Sequence, residues 1–377
     1  MDAYSKPDRA AALVTHFERA GYAHIAPAIL HPAEPFLDLS GEDIRRRMYL
    51  TTDAAGRELC LRPELTIPVA REYLASRVQG KAAGFYYLGP VFRQQTDAQS
   101  ETWQAGVESF GRRDTAAADA EMLGLGLEAS AHYGIAKPEI RVGDVGLFAG
   151  FVAALDLAPA WKRRLIKDFN RKANLAQDLD QLVLHASKER AGYQGVLAAL
   201  AGSDPQGAHA LVADLLSIAG ITALGGRSVD EIADRFLEQA ALDAAATLPG
   251  KTRAIIERFL AINGDPDFAA AQLGALARDE GLALGPALEL FESRVGFLAS
   301  RGLDVMCIRF STSFGRGLDY YTGFVFELHD PAGKTDGPLV AGGRYDALLT
   351  RLGSPEPIPA VGFAVWIDRL AALEGAS

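Results

Sequence analysis

The chain has 377 residues, 49% of them hydrophobic and 23% charged, with a formal net charge of −10 and a sequence pI near 5.3. That length predicts two or three globular domains, and an acidic average lacks the basic footprint of a protein that grips nucleic acid. Cys60 and Cys307 are the only cysteines and stand far apart. This argues against a disulfide framework or a thiolate metal site and fits a cytoplasmic location. Residues 1–10 are polar and charged, so no secretory signal is expected, and no apolar run is long enough to span a bilayer.

In chain order, residues 8–20 read as an amphipathic helix with Leu13, His16, Phe17 and Ala20 on one face and Gly21 as its stop. A strand is expected over 22–30 and a short one over 48–51. A segment of mixed character covers 59–71. Residues 85–92, apolar and aromatic, read as a buried strand, and 103–110 alternate as a second strand ending at Gly111. A helix over 119–131 and a strand over 139–142 follow. From 150 to 302 the chain is rich in Ala, Leu and charged residues and reads as mostly helical, with surface helices over 160–184. Breaks fall at Gly192, 202–205, 225–226, 249–250 and 264–266. Strand character returns at 305–310, 324–328 and 362–366. The pattern predicts an α+β fold: a first core part over 1–149, a helical insertion over 150–302 and a second core part over 303–377.

Four clusters carry chemistry. In Leu61-Arg62-Pro63-Glu64-Leu65-Thr66, a carboxylate and a hydroxyl lie two apart and together suit an ammonium group. The same string also reads as a strand-to-helix turn with Thr66 near the helix start. Phe92-Arg93 is followed by Gln104-Ala105-Gly106-Val107-Glu108. On a strand, Gln104 and Glu108 share a face, and a hairpin brings Arg93 opposite them. Burying a guanidinium, an amide and a carboxylate together makes sense when a zwitterionic ligand completes the set, although a polar surface hairpin is the plainer alternative. In the third cluster, Gly315 to Gly323, glycines flank Arg316, and Tyr321 offers a phenol to a ring nitrogen. A glycine-rich turn with structural tyrosines is the other reading. The fourth, Val340-Ala341-Gly342-Gly343-Arg344-Tyr345-Asp346, allows close approach to a ligand or forms a hairpin turn before a helix near Asp346. The seven histidines show no metal-ligand spacing, so no metal or cofactor is expected. Neither a phosphate-binding loop, a dinucleotide fingerprint nor a nucleophile elbow is present.

Together these strings resemble the histidyl-tRNA synthetases. Residues 316–321 and 341–346 are similar to that family's two histidine motifs, 92–111 to class II motif 2 and 359–370 to motif 3. The resemblance covers about residues 5–150 and 303–372. It implies a class II synthetase-like antiparallel sheet flanked by helices. It also implies a histidine pocket, with Glu64, Thr66 and Gln104 on the α-ammonium and Glu108 and Tyr321 on the imidazole. Arg93 and Arg316 would sit near the carboxylate, with Tyr320 and Tyr345 lining the pocket.

The departures from the synthetase pattern bear on activity. Gln95 stands where motif 2 carries an acid, and loop 96–102 holds Asp97 and Glu101 but no Lys or Arg, which disfavours a triphosphate. Trp366 stands where motif 3 has a small residue beneath adenine, although Arg369 is kept. The sequence stops at Ser377, where the synthetases continue into an anticodon-binding domain. A kept histidine pocket without the nucleotide parts resembles the regulatory subunits of ATP phosphoribosyltransferase. That resemblance implies a non-catalytic chain, with no catalytic residues, that binds histidine. It would form a homodimer within a hetero-oligomer with a short-form catalytic subunit, needed for that subunit's activity and for feedback inhibition by histidine. No membrane and no tRNA partner are expected. The alternatives are an active histidyl-tRNA synthetase or histidine-activating paralogue, and a sensing module attached to another protein.

Overall fold

The computed structural model describes residues 5–76, 78–95, 99–184, 205–218 and 250–374, together with 229, 232–234 and 237. The breaks expected at Gly192, 202–204 and 225–226 lie outside these residues, as does Asp97. The chain forms two compact units, residues 1–150 with 259–377 and residues 151–258. The stretch set apart by composition is thus divided: helices Pro266–Glu280 and Gly285–Ser300 belong to the first unit.

The first helix, α1 (Ser5–Arg19), ends before Gly21, whose φ of 92° only glycine adopts without cost. Leu13 and Phe17 of the predicted face are buried, His16 bonds Glu128 at 2.6 Å, and Ala20 is exposed. Instead of one strand over 22–30, two short ones form, β1 (Ala23–His24) and β2 (Leu30–Pro32). Pro27 between them has no N–H to give a ladder. β2 joins β3 (Leu50–Thr52) and β4 (Glu58–Leu61) in a small antiparallel sheet ordered β2-β4-β3. Helices α2 (Glu34–Leu39) and α3 (Glu42–Arg46) lie between β2 and β3, and after β4 the segment 59–71 turns at Pro63 into α4 (Thr66–Ala75).

The main sheet has nine strands. Besides β1 it holds β5 (Ala83–Phe92), β6 (Glu101–Phe110), β7 (Glu139–Asp144), β8 (Asn263–Gly264), β9 (Ile308–Ser311), β10 (Phe324–His329), β11 (Val340–Arg344) and β12 (Ala360–Trp366). Their order is β1-β5-β6-β12-β11-β10-β7-β9-β8. The pairs β1–β5 and β7–β9 are parallel and the others antiparallel. Val305–Cys307, expected as the start of a strand, is a 3₁₀ turn capped by Asp304. The glycine pair Gly342–Gly343, read as a turn or ligand approach, lies inside β11.

Side chains alternate across each strand. Phe326, Leu328 and Val340 face helix Thr115–Ala131, where Gly126 leaves them room. Gln104, Glu108, Glu327 and Trp366 point to the opposite face. A buried ion network ties the helices to the sheet. Arg294, on helix Gly285–Ser300, donates to Asp119 and to Asp144, each at 2.8 Å. Arg344 of β11 donates to Asp119 at 2.8 Å and to Asp346 at 2.9 Å. Asp144 also caps the next helix through the Leu147 N–H at 3.0 Å.

In the second unit, helices Pro159–Asp168 and Lys172–Leu184 pack through Trp161, Leu165, Phe169, Leu175 and Leu179, and Asp168 and Asp178 are buried with them. Arg164 bonds Asp168 at 2.7 Å and Asp178 at 3.1 Å.

Candidate functional site

The face of the large sheet opposite helix Thr115–Ala131 carries a cavity of about 150 Å³. Seven of the nine predicted residues line it: Glu64, Thr66, Arg93, Gln104, Arg316, Tyr320 and Tyr321. Glu108 and Tyr345 do not; they lie beneath its floor, fully enclosed. Asp43, Ile44, Tyr87, Leu318 and Trp366 are among the other residues of its walls.

The register of the strands explains this convergence. Gln104 sits opposite Gly89 on one side and Trp366 on the other, while Glu108 sits opposite Gly362. A Cβ at position 362 would stand 1.8 Å from Glu108 Oε2, so the glycine is what lets this carboxylate lie flat over β12. Glu108 accepts from Thr66 Oγ1 at 2.7 Å, from the Tyr87 hydroxyl at 3.5 Å and from the Tyr345 hydroxyl. It therefore holds the floor together through three hydroxyls rather than standing open to a ligand.

Glu64 does two things. Its carboxylate accepts the backbone N–H of Thr66 at 2.8 Å and of Ile67 at 2.9 Å, capping α4, and it also faces the cavity. Sequence reading left the ammonium-holding and helix-start roles as alternatives; the geometry lets one carboxylate serve both, because each oxygen keeps a second lone pair. Among the described residues the Arg93 side chain makes one hydrogen bond, from Nε to Pro63 O at 2.7 Å. Burial and the nearby Arg47 pull its guanidinium down to about 10, so it stays charged at neutral pH. Gln104 is 1% exposed, yet its amide makes no hydrogen bond with any described residue. A buried amide without a partner is costly unless something in the cavity completes it. Arg316 donates to Glu327 at 3.2 Å and to the Tyr321 hydroxyl at 2.6 Å. Glu327 was missed in the sequence: it is an alternating strand residue, and only the fold sets it beside Arg316.

At the cavity edge the Arg369 guanidinium lies over the Trp366 ring, 5.1 Å from its centre, and also donates to Pro338 O at 2.5 Å. Arg344, part of the fourth cluster, belongs to the buried ion network instead. Gln95 is exposed. Among the described residues no three His, Cys, Asp or Glu side chains could hold a metal, and no helix is long and apolar enough to cross a membrane.

Burial pushes the Glu64 carboxyl up to about 7 and the Glu108 carboxyl up to about 8, from ordinary values of 4.5. Both groups hold protons more tightly folded than unfolded. Stability is therefore fully present below pH about 4.5 and is lost as pH rises through 7 and 8. Glu108→Gln keeps the hydroxyl partners and removes one titrating group. It is expected to flatten the fall in melting temperature of the ligand-free protein between pH 6 and 8.5; a slope identical to that of the parent would contradict the assignment.

The family model described as histidyl-tRNA synthetase matches residues 2–219 and 206–370. The ATP phosphoribosyltransferase regulatory subunits of Brucella ovis and Brucella abortus are each 43% identical over 350 residues, 92% of this chain and 92% and 91% of their own lengths. A solved structure from Bacillus halodurans, described as an ATP phosphoribosyltransferase regulatory subunit/histidyl-tRNA synthetase, aligns with a TM-score of 0.64 at 22% identity. It covers 98% of this chain and 79% of that one, a likeness of fold alone. A histidine–tRNA ligase subunit from Alicyclobacillus acidocaldarius aligns with a TM-score of 0.59 at 26% identity, covering 99% and 94%. With the class II synthetase-like sheet, the cavity on one of its faces and 43% identity across nearly the whole length, the chain belongs to the family of ATP phosphoribosyltransferase regulatory subunits.

Proposed function

We propose that this chain works as the regulatory partner of a separate short-form ATP phosphoribosyltransferase catalytic subunit in the cytoplasm, and that histidine seated in the cavity lowers the activity of the assembly. The chain itself performs no chemistry. It is needed for the partner's full rate in the first step of histidine biosynthesis, and it forms a homodimer within the hetero-oligomer. Histidine binds one state of the assembly better and shifts the population toward it, a coupling of about 1–3 kcal/mol.

One observation carries the reading: the cavity offers polar groups for an amino acid, while Trp366, with Arg369 over its ring, stands in its wall where the synthetases keep a small residue beneath adenine. Gln104 and Thr66 with Glu64 suit an α-ammonium, and Arg93, charged and with one side-chain hydrogen bond among the described residues, suits a carboxylate. By contrast, the face of Arg369 that would stack on an adenine is already covered by Trp366. A histidine-activating enzyme is the competing reading, favoured by the presence of Arg93 and Arg316 in the cavity and opposed by that stack.

The test is direct. Adding the purified chain to a short-form catalytic subunit is expected to raise its rate, and histidine is then expected to suppress it; a flat response removes the reading. ATP–pyrophosphate exchange with histidine is expected to be absent. Trp366→Gly is expected to leave histidine affinity, measured by calorimetry, largely intact, and a large loss would place the tryptophan in the ligand's own contacts.

A further inference from the structure

Tyr321 lines the cavity, and its hydroxyl oxygen lies 2.6 Å from Arg316 Nη1. A guanidinium has donors only, so at that contact the tyrosine oxygen accepts. Burial raises the Tyr321 hydroxyl above its ordinary range, so it keeps its proton. The Arg316 guanidinium acts the other way, spending a donor on that oxygen. The tyrosine's own proton is left to point away from Arg316. What holds Arg316 in that pose is Glu327: one oxygen receives Arg316 Nε at 3.2 Å, and the other faces His329 Nε2 at 2.9 Å. Glu327 itself lies outside the cavity walls.

We infer that Glu327 is a positioning residue which, through Arg316, fixes Tyr321 as a hydrogen-bond donor to the ligand, so that the cavity takes the neutral imidazole of histidine and rejects the imidazolium. A neutral imidazole has one ring nitrogen with a free lone pair to accept the tyrosine proton; an imidazolium has two N–H donors and none. This rests on the reading that histidine occupies the cavity, and it adds which form is recognised and which residue outside the walls enforces the choice. The other charged or titratable groups around Tyr321 include Glu64, Tyr87, Arg93, Glu108, Tyr320 and Tyr345, with Glu327 and His329 behind Arg316 and with Arg141 and Glu139 on the neighbouring strand. Protonation of Glu64 on acidification weakens any α-ammonium ligand, so a control ligand must share that group and differ only in the ring.

The experiment compares the full chain's affinity for L-histidine and for 1,2,4-triazole-3-alanine, whose ring stays neutral under mild acid, at pH 7.5 and 5.5 by calorimetry. An imidazole with an ordinary pKa near 6.5 is mostly protonated at pH 5.5, so histidine affinity is expected to fall about tenfold more than that of the triazole analogue. Tyr321→Phe removes only the hydroxyl and is expected to abolish this excess. Glu327→Ala is expected to shrink it, and Glu327→Gln, which still accepts from Arg316, to restore most of it. Equal falls for the two ligands in the parent protein, or an excess that survives Tyr321→Phe, overturn the inference while leaving the cavity as the histidine site. No histidine binding at either pH overturns the site itself.

Discussion

Replacing Arg294 by methionine is expected to cost about 3–5 kcal/mol, because it strands buried carboxylates whose charge the guanidinium compensates. Arg294 and Asp119 are 3% and 0% exposed. Burial alone would depress the Arg294 guanidinium, but Asp144 and Asp119 more than reverse this, so the group is held firmly protonated. Its two bonds cross 175 and 150 residues of sequence, joining helix Gly285–Ser300 to helix Thr115–Ala131 and to the end of β7. Asp119 would keep Arg344, and Asp144 would keep the Leu147 N–H, but both would lose the shared positive centre. In a unit of this size the melting temperature should fall on the order of 10 °C. Arg294→Lys restores charge without the two-pronged geometry and should recover only part of the loss. Circular dichroism melts check both variants; a methionine variant melting with the parent would mean the network adds nothing net.

The second large effect is expected on ligand affinity. Arg93→Ala should weaken histidine binding at least about thirtyfold, the cost of removing one partner from an enclosed charge-assisted contact. Arg93 is a clean site for this test because the only hydrogen bond its side chain makes with the described residues is the one to Pro63 O. Glu64 is a poor one, since its substitution would also uncap α4. Gln104→Leu complements the arginine variant: it keeps the volume, removes an amide without partners, and should weaken binding without lowering the melting temperature. Titration calorimetry with histidine decides both. Parent-like affinity in the Arg93 variant would move the carboxylate elsewhere in the cavity.

The strands of the core were legible because hydrophobic alternation and aromatic content are local signals. Residues 85–92, 103–110, 324–328 and 362–366 lie within β5, β6, β10 and β12. Local signals failed where pairing overrides them. Gly342 and Gly343 look like a turn by composition, yet they sit in β11 because Phe324 O, Gly362 O and neighbouring side chains leave no room for a Cβ there. Arg294 looks like a surface helix charge, and nothing within its own helix announces that its partners come from distant segments.

The candidate site divides in the same way. The residues alone left a polar turn or surface hairpin open beside a zwitterion site, and it was the resemblance to the histidyl-tRNA synthetases that implied an amino-acid pocket built around Glu64, Arg93, Gln104 and Arg316. Which of them face the cavity was decided only by the tertiary structure. Glu108 and Tyr345 went beneath the floor and Glu327 came to stand behind Arg316, since strand register and a missing side chain at Gly362 fix where each group points. Sequence spacing carries the period of a strand but not the identity of the strand beside it, and it is the neighbour that determines what a buried charge touches.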